Sequence, residues 1–488
     1  MSVLREANDA GQPYELVIVG AGPAGLSAAT TASALGMRTA IIDEQQDVGG
    51  QILRQPPASF RTAVKVMPPS LPGAAALLAR FRESRQIDTF FGKSAWGVFQ
   101  SADANMVEIP VSGPSGSGLL RAKALLLATG AYDLPVAFPG WTLPGVMAAG
   151  GVQTLLKSQF LRPGRRFVLA GSHPLLLLVA DLLLAAGAEI AEIAVARPRP
   201  AFGEILKSLP AVAGHKKLFL SLAAQLYRLS RHKVPVSFGT TVLQAQGNDA
   251  VERVILGKVD AEWNPQPGSE RSVAADCLVS GYGLLASSEL AQQAGCAVRW
   301  APERGGWIVS HDEDMRTSVA NIFVAGEPAG VKGAEMAFLE GRRAALSVAL
   351  QAGFIEADNA RKQIDDVRTR IARARIFSDM VLRFFAPRLD KLARLATDVT
   401  LICRCEEISA GTVRRFLDEN QHVSDINSVK LGCRTGMGFC QGRYCQHTTA
   451  QLTADIRNMD IAALGAFSAQ APVKPVSVRA LMDAANGG

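Results

Sequence analysis

The segment Tyr14–Glu44, YELVIVGAGPAGLSAATTASALGMRTAIIDE, decides the fold. Leu16–Val19 is a short apolar run that reads as a buried strand. It enters the turn Gly20-Ala21-Gly22-Pro23-Ala24-Gly25, which has the G-x-G-x-x-G pattern. A run of small and apolar residues then reads as a helix ending near Gly36, and Ala40–Ile42 as the next strand. Each glycine has a physical task. Gly20 permits the tight turn, Gly22 lets the backbone approach a pyrophosphate, and Gly25 lets the helix pack close to the strand. The free N–H groups and positive dipole end of the helix would then face the phosphates. Asp43 closes the second strand eighteen residues after Gly25, where an acid can bond ribose hydroxyls. Glu44 is the second candidate, with strand parity deciding between them.

The rest of the chain is consistent with a folded, glycine-rich α/β protein. Of its 488 residues 48% are hydrophobic and 19% charged, and 45 are glycine. At roughly 100–200 residues per domain this length implies two to four domains. The net charge is +7 and aromatic residues are 6%. The one basic stretch, Arg361–Arg394, reads as a solvated helix, so no nucleic-acid partner is expected. The N-terminal MSVLREANDAGQPYE has no apolar core of a secretory signal. The longest apolar run, Pro174–Ile190, contains Asp181 and falls short of the roughly 20 residues that span a bilayer. No transmembrane segment is expected. A cytoplasmic location follows, at most peripheral to the inner membrane, and in a reducing compartment clustered cysteines imply metal or redox chemistry.

Three further stretches bear on the first nucleotide site. DVGGQIL (Asp47–Leu53) places Gly49, Gly50 and Gln51 after the acid. LLLATGAYDLPVAFPG (Leu125–Gly140) is a strand ending in Thr129-Gly130. TSVANIFVAGEPAG (Thr317–Gly330) holds a late strand, Ile322–Ala325, ending in Gly326-Glu327, with a helix from about Gly333. Together these resemble the two-dinucleotide-domain flavoproteins, which include the glutathione reductase and thioredoxin reductase folds. The resemblance implies FAD at the first site, with Gly20, Gly22, Ala24, Gly25, Asp43, Glu44, Gly50, Gln51, Thr129, Gly130, Gly326 and Glu327 as its contacts. Glu327 stands where that family usually has Asp. No C-x-x-C or C-x-x-x-x-C lies near Gln51 or in the middle of the chain, which excludes the dithiol chemistry of those reductases.

A second unit follows in Arg165–Pro200. Strand Phe167–Ala170 leads to Gly171, a helix and strand Glu189–Ala196. His173 and Leu176 occupy the next two glycine positions, and their β-carbons would crowd a pyrophosphate. The expectation is a scaffold that no longer takes NAD(P)H, although Arg197 and Arg199 could imitate a 2′-phosphate site. His173 reads as a turn residue, and Cys277 and Cys296 as ordinary buried thiols. The expected division is residues 1–150 and 288–353 for the FAD-type domain, with 151–287 inserted between them as the NAD-like domain. A helical connector (354–400), a cysteine-bearing domain (401–455) and a tail (456–488) complete the chain.

Five of the seven cysteines lie between Leu401 and Gln446. Cys403 and Cys405 form C-x-C, and Cys440 and Cys445 form C-x-x-x-x-C. The intervening residues read as two short helices, the first capped by Ser409. Gly432, Gly436, Gly438 and Gly442 surround the second pair, and glycine lets a loop curl around a cluster and aim N–H groups at sulfur. Four thiolates around two irons suit a [2Fe–2S] cluster, and four around one ion suit zinc. Zinc ribbons prefer C-x-x-C pairs at both ends, and neither pair here fits. Cys433 could replace Cys440 as a ligand, but it lies before the glycine loop and is ranked a bystander.

CRCEE (Cys403–Glu407) followed by KLGCRTGMGFCQGRYC (Lys430–Cys445) resembles the bacterioferritin-associated-ferredoxin (BFD) type of [2Fe–2S] domain. With Ala128–Gln159 and the tail APVKPVSVRALMDAA (Ala471–Ala485), the chain resembles the α subunit of multi-subunit amine and amino-acid dehydrogenases. That family includes opine oxidase, hydrogen cyanide synthase, D-hydroxyproline dehydrogenase and archaeal proline dehydrogenase, with the sarcosine oxidase α subunit more distant. The resemblance implies two Rossmann-like domains plus a small helical [2Fe–2S] domain with ligands Cys403, Cys405, Cys440 and Cys445. It implies FAD or an adenine nucleotide such as ATP at the first site, and in several members an interfacial FMN. It also implies a D-amino-acid-oxidase-like β subunit that oxidises a C–N bond, in some cases a small third subunit, and a quinone or other downstream acceptor. No Ser/His/Asp array stands out and histidines number six, so no catalytic residue is assigned to this chain. Two other functions fit part of the pattern: an autonomous NAD(P)H-dependent reductase, and a structural subunit with a zinc site.

Overall fold

The structure, a computed structural model, describes residues 12–56, 73–84, 86–101 and 105–485. Residues 1–11, most of the segment inspected for a signal, lie outside that range. The chain forms two compact units. The first comprises residues up to Ala131, Ala286–Ser378 and the tail from Ser468. The second comprises Tyr132–Leu285 and Asp379–Phe467.

In the first unit, Tyr14–Val19 (β1), Pro23–Ala34 (α1) and Thr39–Asp43 (β2) form the expected β–α–β unit. Leu16, Val17, Ile18, Ala40 and Ile41 have no exposed surface, as strands of a parallel sheet covered on both faces require. The sheet runs from Ile87–Phe91 through β2 and β1 to Gly116–Leu127, and then to Val107–Gly113 and Ser94–Ala95. The long strand Gly116–Leu127 turns back on Val107–Gly113 as a hairpin. Its far half pairs in parallel with β1 and with the late strand Ile322–Val324. The ends of β1, Gly116–Leu127 and Ile322–Val324 therefore open on the same edge.

Helix Ala334–Gln351 lies against α1 through small residues. A Cβ on Gly341 would fall 2.0 Å from the Ala24 carbonyl oxygen, so the two backbones touch where a side chain would separate them. The tail also belongs to this unit. Val473 is buried and its N–H donates to the Trp96 carbonyl, and Lys474 pairs with Glu44. Helix Val478–Ala485 packs on Gly116–Leu127.

The second unit is built on a five-stranded parallel sheet. Its order is Val236–Phe238, Glu189–Val195, Arg166–Gly171, Cys277–Gly281 and Val146–Ala148. Phe167, Leu169, Val179, Leu183, Ile193 and Val279 are fully buried and form its core. The cysteine-bearing segment contributes a small antiparallel pair, Leu401–Cys403 with Ile408–Ser409. Three helices follow: Ala410–Glu419, Ile426–Cys433 and Gln446–Arg457. Ser409 caps the first by accepting from the Thr412 N–H (3.2 Å), and Asp425 caps the second.

A candidate nucleotide site and a candidate iron–sulfur site

The glycine turn of the first unit has the backbone its sequence demands. Gly20 has φ +109°, and a Cβ there would lie 2.2 Å from the Ala128 carbonyl oxygen. A Cβ on Gly25 would lie 1.8 Å from the Gly20 carbonyl oxygen. Gly22 differs: its φ is −76°, and the nearest atom to an added Cβ is the Gly50 Cα at 4.0 Å. A Cβ on Gly22 would therefore clash with nothing and only touch Gly50, and no side chain caps the first turn of α1. That turn presents free N–H groups to any anion placed over it.

Asp43 reaches into this turn. Its Oδ2 accepts from the Ala21 N–H (2.6 Å) and its Oδ1 from the Gln45 N–H (2.8 Å). Burial pushes its carboxyl above the usual range, and the two backbone N–H donors oppose that. Glu44 points elsewhere, to the Ser94 hydroxyl (3.1 Å) and Lys474. Of the two acids, only Asp43 contacts the glycine turn. Gly50 sits beside Gly22 with φ +56°. Gln51 Nε2 donates to the Ala131 carbonyl (2.8 Å), and Thr129 Oγ1 donates to the Ser287 carbonyl (2.6 Å), next to Gly130 at φ +76°.

Arg54 was not singled out by the sequence. Its Nε donates to the Gly50 carbonyl (3.3 Å), and its charge interacts with Asp43. Its signal was only a cation three residues after the Gly-Gly-Gln run.

Gly326 has φ +78°, and a Cβ there would lie 3.0 Å from the Ala24 Cβ, so the late strand ends against the start of α1. The Gly326 N–H donates to Glu340 Oε2 (3.0 Å), and Glu340 Oε1 takes Lys332 Nζ (2.6 Å). Glu327 follows, and burial alone raises its carboxyl to about 7. A carboxyl with a folded-state pKa above its unfolded value contributes stability in its protonated form. That contribution is full below about 4.5 and is lost as pH rises through about 7. Glu327→Gln should therefore melt with its parent at pH 4 and above it at pH 8. Parallel Tm–pH profiles for the two chains would rule out a half-buried, protonated Glu327.

The middle Rossmann unit is filled by its own side chains. A Cβ on Gly281 would lie 2.6 Å from Leu176 Cδ2, and the Gly171 position also faces Leu176. His173 Nδ1 accepts from the Leu175 N–H (3.3 Å), and burial lowers its imidazole to about 4. Arg197 donates to the Phe384 carbonyl (2.8 Å) and pairs with Glu204, and Arg199 lies over the Phe238 ring. Both arginines have protein partners.

In the second unit the four cysteines of the two pairs come together. The Cys445 thiol hydrogen-bonds Cys403 and holds it down at about 6, helped by the N–H groups of Glu406, Gly436 and Cys405. Cys445 itself is pushed well up by giving that bond and by burial. Cys440 interacts with Cys405 and receives the Tyr444 and Gly442 N–H groups. At Cys433 no cysteine contributes to the shift, and burial alone raises it to about 11. The sulfurs thus meet as two pairs. No three His, Cys, Asp or Glu groups among the described residues close around one point tightly enough for a single ion.

The loop geometry explains the glycines. A Cβ on Gly438 would lie 2.2 Å from the Cys405 Cβ, and on Gly436 and Gly442 2.6 and 2.7 Å from the Phe467 ring. Cys445 is the N-cap of Gln446–Arg457, where the helix dipole favours a thiolate. Arg434 bonds Glu406 (3.0 Å) and ties the two cysteine loops together. Thr435 and Thr449, in the same segment, each bury a hydroxyl with no partner among the described residues. Sulfur pairs and converging N–H groups fit a [2Fe–2S] cluster.

This combination defines a flavoprotein oxidoreductase with an appended iron–sulfur domain. Residues 14–353 match the pyridine nucleotide-disulphide oxidoreductase family, and residues 401–454 match the BFD-like [2Fe-2S] binding domain. An opine oxidase subunit of Agrobacterium tumefaciens (strain Ach5) is 32% identical over 97% of this chain and 92% of its own. The HcnB subunit of hydrogen cyanide synthase from Pseudomonas aeruginosa is 34% identical over 88% and 90%. The chain belongs to the family of these proteins, the flavin and [2Fe–2S] subunits of multi-subunit dehydrogenases. The alpha subunit of sarcosine oxidase from Rhizobium meliloti (strain 1021) is 24% identical over 97% of this chain and 43% of its own. The fold is also that of L-proline dehydrogenase from P.horikoshii, with a TM-score of 0.68 at 20% identity over 96% of this chain and 79% of that one. Among the described residues no helix is long and apolar enough to cross a membrane.

Proposed function

We propose that the chain is the electron-transfer subunit of a dehydrogenase whose partner oxidises the C–N bond of a secondary amine, opine or amino acid. The observation that carries this is the pairing of Cys403 with Cys445 and Cys405 with Cys440 in a chain whose other unit has an open glycine turn. A flavin accepts a hydride equivalent, and a [2Fe–2S] cluster passes electrons singly, here to a quinone or similar acceptor. Asp43, Gly22, Gly50 and Arg54 would hold the dinucleotide, FAD or an adenine nucleotide, with Gln51, Thr129, Gly130, Gly326 and Glu327 around it. Cys403, Cys405, Cys440 and Cys445 would hold the cluster. The proposed domain limits follow the sequence reading, except that Val146–Ala148 pairs into the sheet of the second unit and the tail from Ser468 packs with the first; residues 401–455 would carry the cluster.

The substrate class rests on the names of the relatives, opine oxidase and sarcosine oxidase. A D-amino-acid-oxidase-like β subunit is the proposed partner, with an FMN between the two chains and a small third subunit where one is present. Phe439 and Met437, exposed in the cysteine loop, give that partner an apolar foothold near the sulfurs. Leu176 against Gly281 argues against NAD(P)H as the electron source.

The test is anaerobic. The purified complex, mixed with a panel of opines and N-alkyl amino acids, should lose its oxidised flavin absorbance and gain an iron–sulfur EPR signal with one of them. NADH should do neither. Rapid bleaching by NADH, or zinc in place of iron and sulfide, would sink the proposal.

A further inference from the structure

The stretch from Arg199 to Lys233 holds seven Lys and Arg residues against one acid, Glu204, a net +6 in a chain whose total is +7. It folds as the helices Phe202–Leu206, Leu209–Gly214 and Lys216–Arg231 of the second unit. Inward, Leu229 is buried; Arg228 is exposed and paired with Asp181 of helix Leu175–Ala185 (2.6 Å). Glu204 is paired with Arg197. Outward, Phe202 is 81% exposed, Leu220 70% and Tyr227 67%. The cations Lys207, Lys216 and Arg231 are exposed among them.

Single exposed apolar residues are ordinary, whereas a group of them among cations marks a contact surface. The chemistry of that contact follows from the cations. The cores of protein–protein interfaces are depleted of lysine. Leu, Phe and Tyr interspersed with Lys and Arg suit the boundary of a bilayer. There the apolar groups sink below the headgroups while long cationic side chains reach the phosphates.

We infer that the helical face between Arg199 and Lys233 docks on an anionic phospholipid surface. The contact is peripheral. It goes beyond the redox proposal and does not depend on it, because lipid binding needs neither nucleotide nor cluster.

Vesicle sedimentation tests it. The chain, purified with any subunit that accompanies it, is spun with vesicles of phosphatidylcholine alone or of phosphatidylcholine with phosphatidylglycerol. It should pellet with the anionic vesicles at low salt and be released at high salt. The pairs Leu220→Glu/Tyr227→Glu and Lys216→Glu/Arg231→Glu change exposed positions. Each should weaken pelleting roughly ten-fold or more, with Tm, absorbance spectrum and subunit content unchanged. Three results would overturn the inference: no pelleting of the parent, equal pelleting on both vesicle types, or variants that pellet like the parent. Variants that shed an accompanying subunit would overturn it too, and would assign the face to that protein.

Discussion

Cys445→Ser should yield a chain without an iron–sulfur EPR signal after dithionite reduction, whereas Cys433→Ser should keep the full signal. Both cysteines are buried and both lie in the same segment, so a general packing defect would affect them alike. They differ in what surrounds the sulfur. Cys445 hydrogen-bonds Cys403, interacts with Cys440 and caps a twelve-residue helix, whereas burial alone shifts the Cys433 thiol. Replacing a thiolate ligand removes one of four iron bonds and opens the site to water. Cys403→Ser should match Cys445→Ser. Acid-labile sulfide and iron, measured on the same samples, should fall to background in both ligand variants and stay at two of each per chain in Cys433→Ser. Loss of the cluster in Cys433→Ser, with retention in Cys445→Ser, would reverse the ligand assignment.

Two glycines of the first turn, two residues apart, should give opposite results. Gly20→Ala puts a side chain at φ +109° with its Cβ 2.2 Å from a backbone oxygen that cannot move without displacing the sheet. The expected loss of stability is about 3 kcal/mol or more. Gly22→Val adds its side chain at φ −76°, where the Cβ meets only the Gly50 Cα at 4.0 Å. It should melt close to the parent when both are stripped of nucleotide, yet retain no FAD or adenine nucleotide after gel filtration. Thermal scans with and without added nucleotide separate the two cases: the Gly22→Val transition should not move on addition, as binding to the native state would require. A nucleotide-dependent rise in Tm for Gly22→Val equal to the parent's would mean that the ligand sits elsewhere.

Much of this was legible because chemistry and local geometry coincide in sequence. The first β–α–β unit needs glycines at fixed offsets, and Gly20 and Gly25 occupy them for steric reasons. The cysteine pairs were legible for the same reason: glycine and sulfur alternate where a loop must curl. Asp43 was legible as the first candidate and Glu44 as the second, but what holds Glu44 away was not. Glu44 is held by the Ser94 hydroxyl and by Lys474, which lies 430 residues away. Arg54 was missed because a single arginine after a glycine loop has no periodicity to betray it. The exposed apolar residues around Leu220 were also hidden, since a helix that buries one stripe and leaves leucines outside reads like any buried helix until its neighbours are known.

The placement of the tail has a consequence for biosynthesis. Val473 lies under the edge of the nucleotide unit and Lys474 holds the end of β2, so that unit is assembled from three separate lengths of chain. Its first strand leaves the ribosome more than four hundred residues before its last contributors. The sheet itself is complete once Ile322–Val324 has emerged, but the nascent unit must wait for the contacts of its tail through nearly the whole of translation. Co-translational chaperone occupancy should persist on this unit until residues 468–485 emerge.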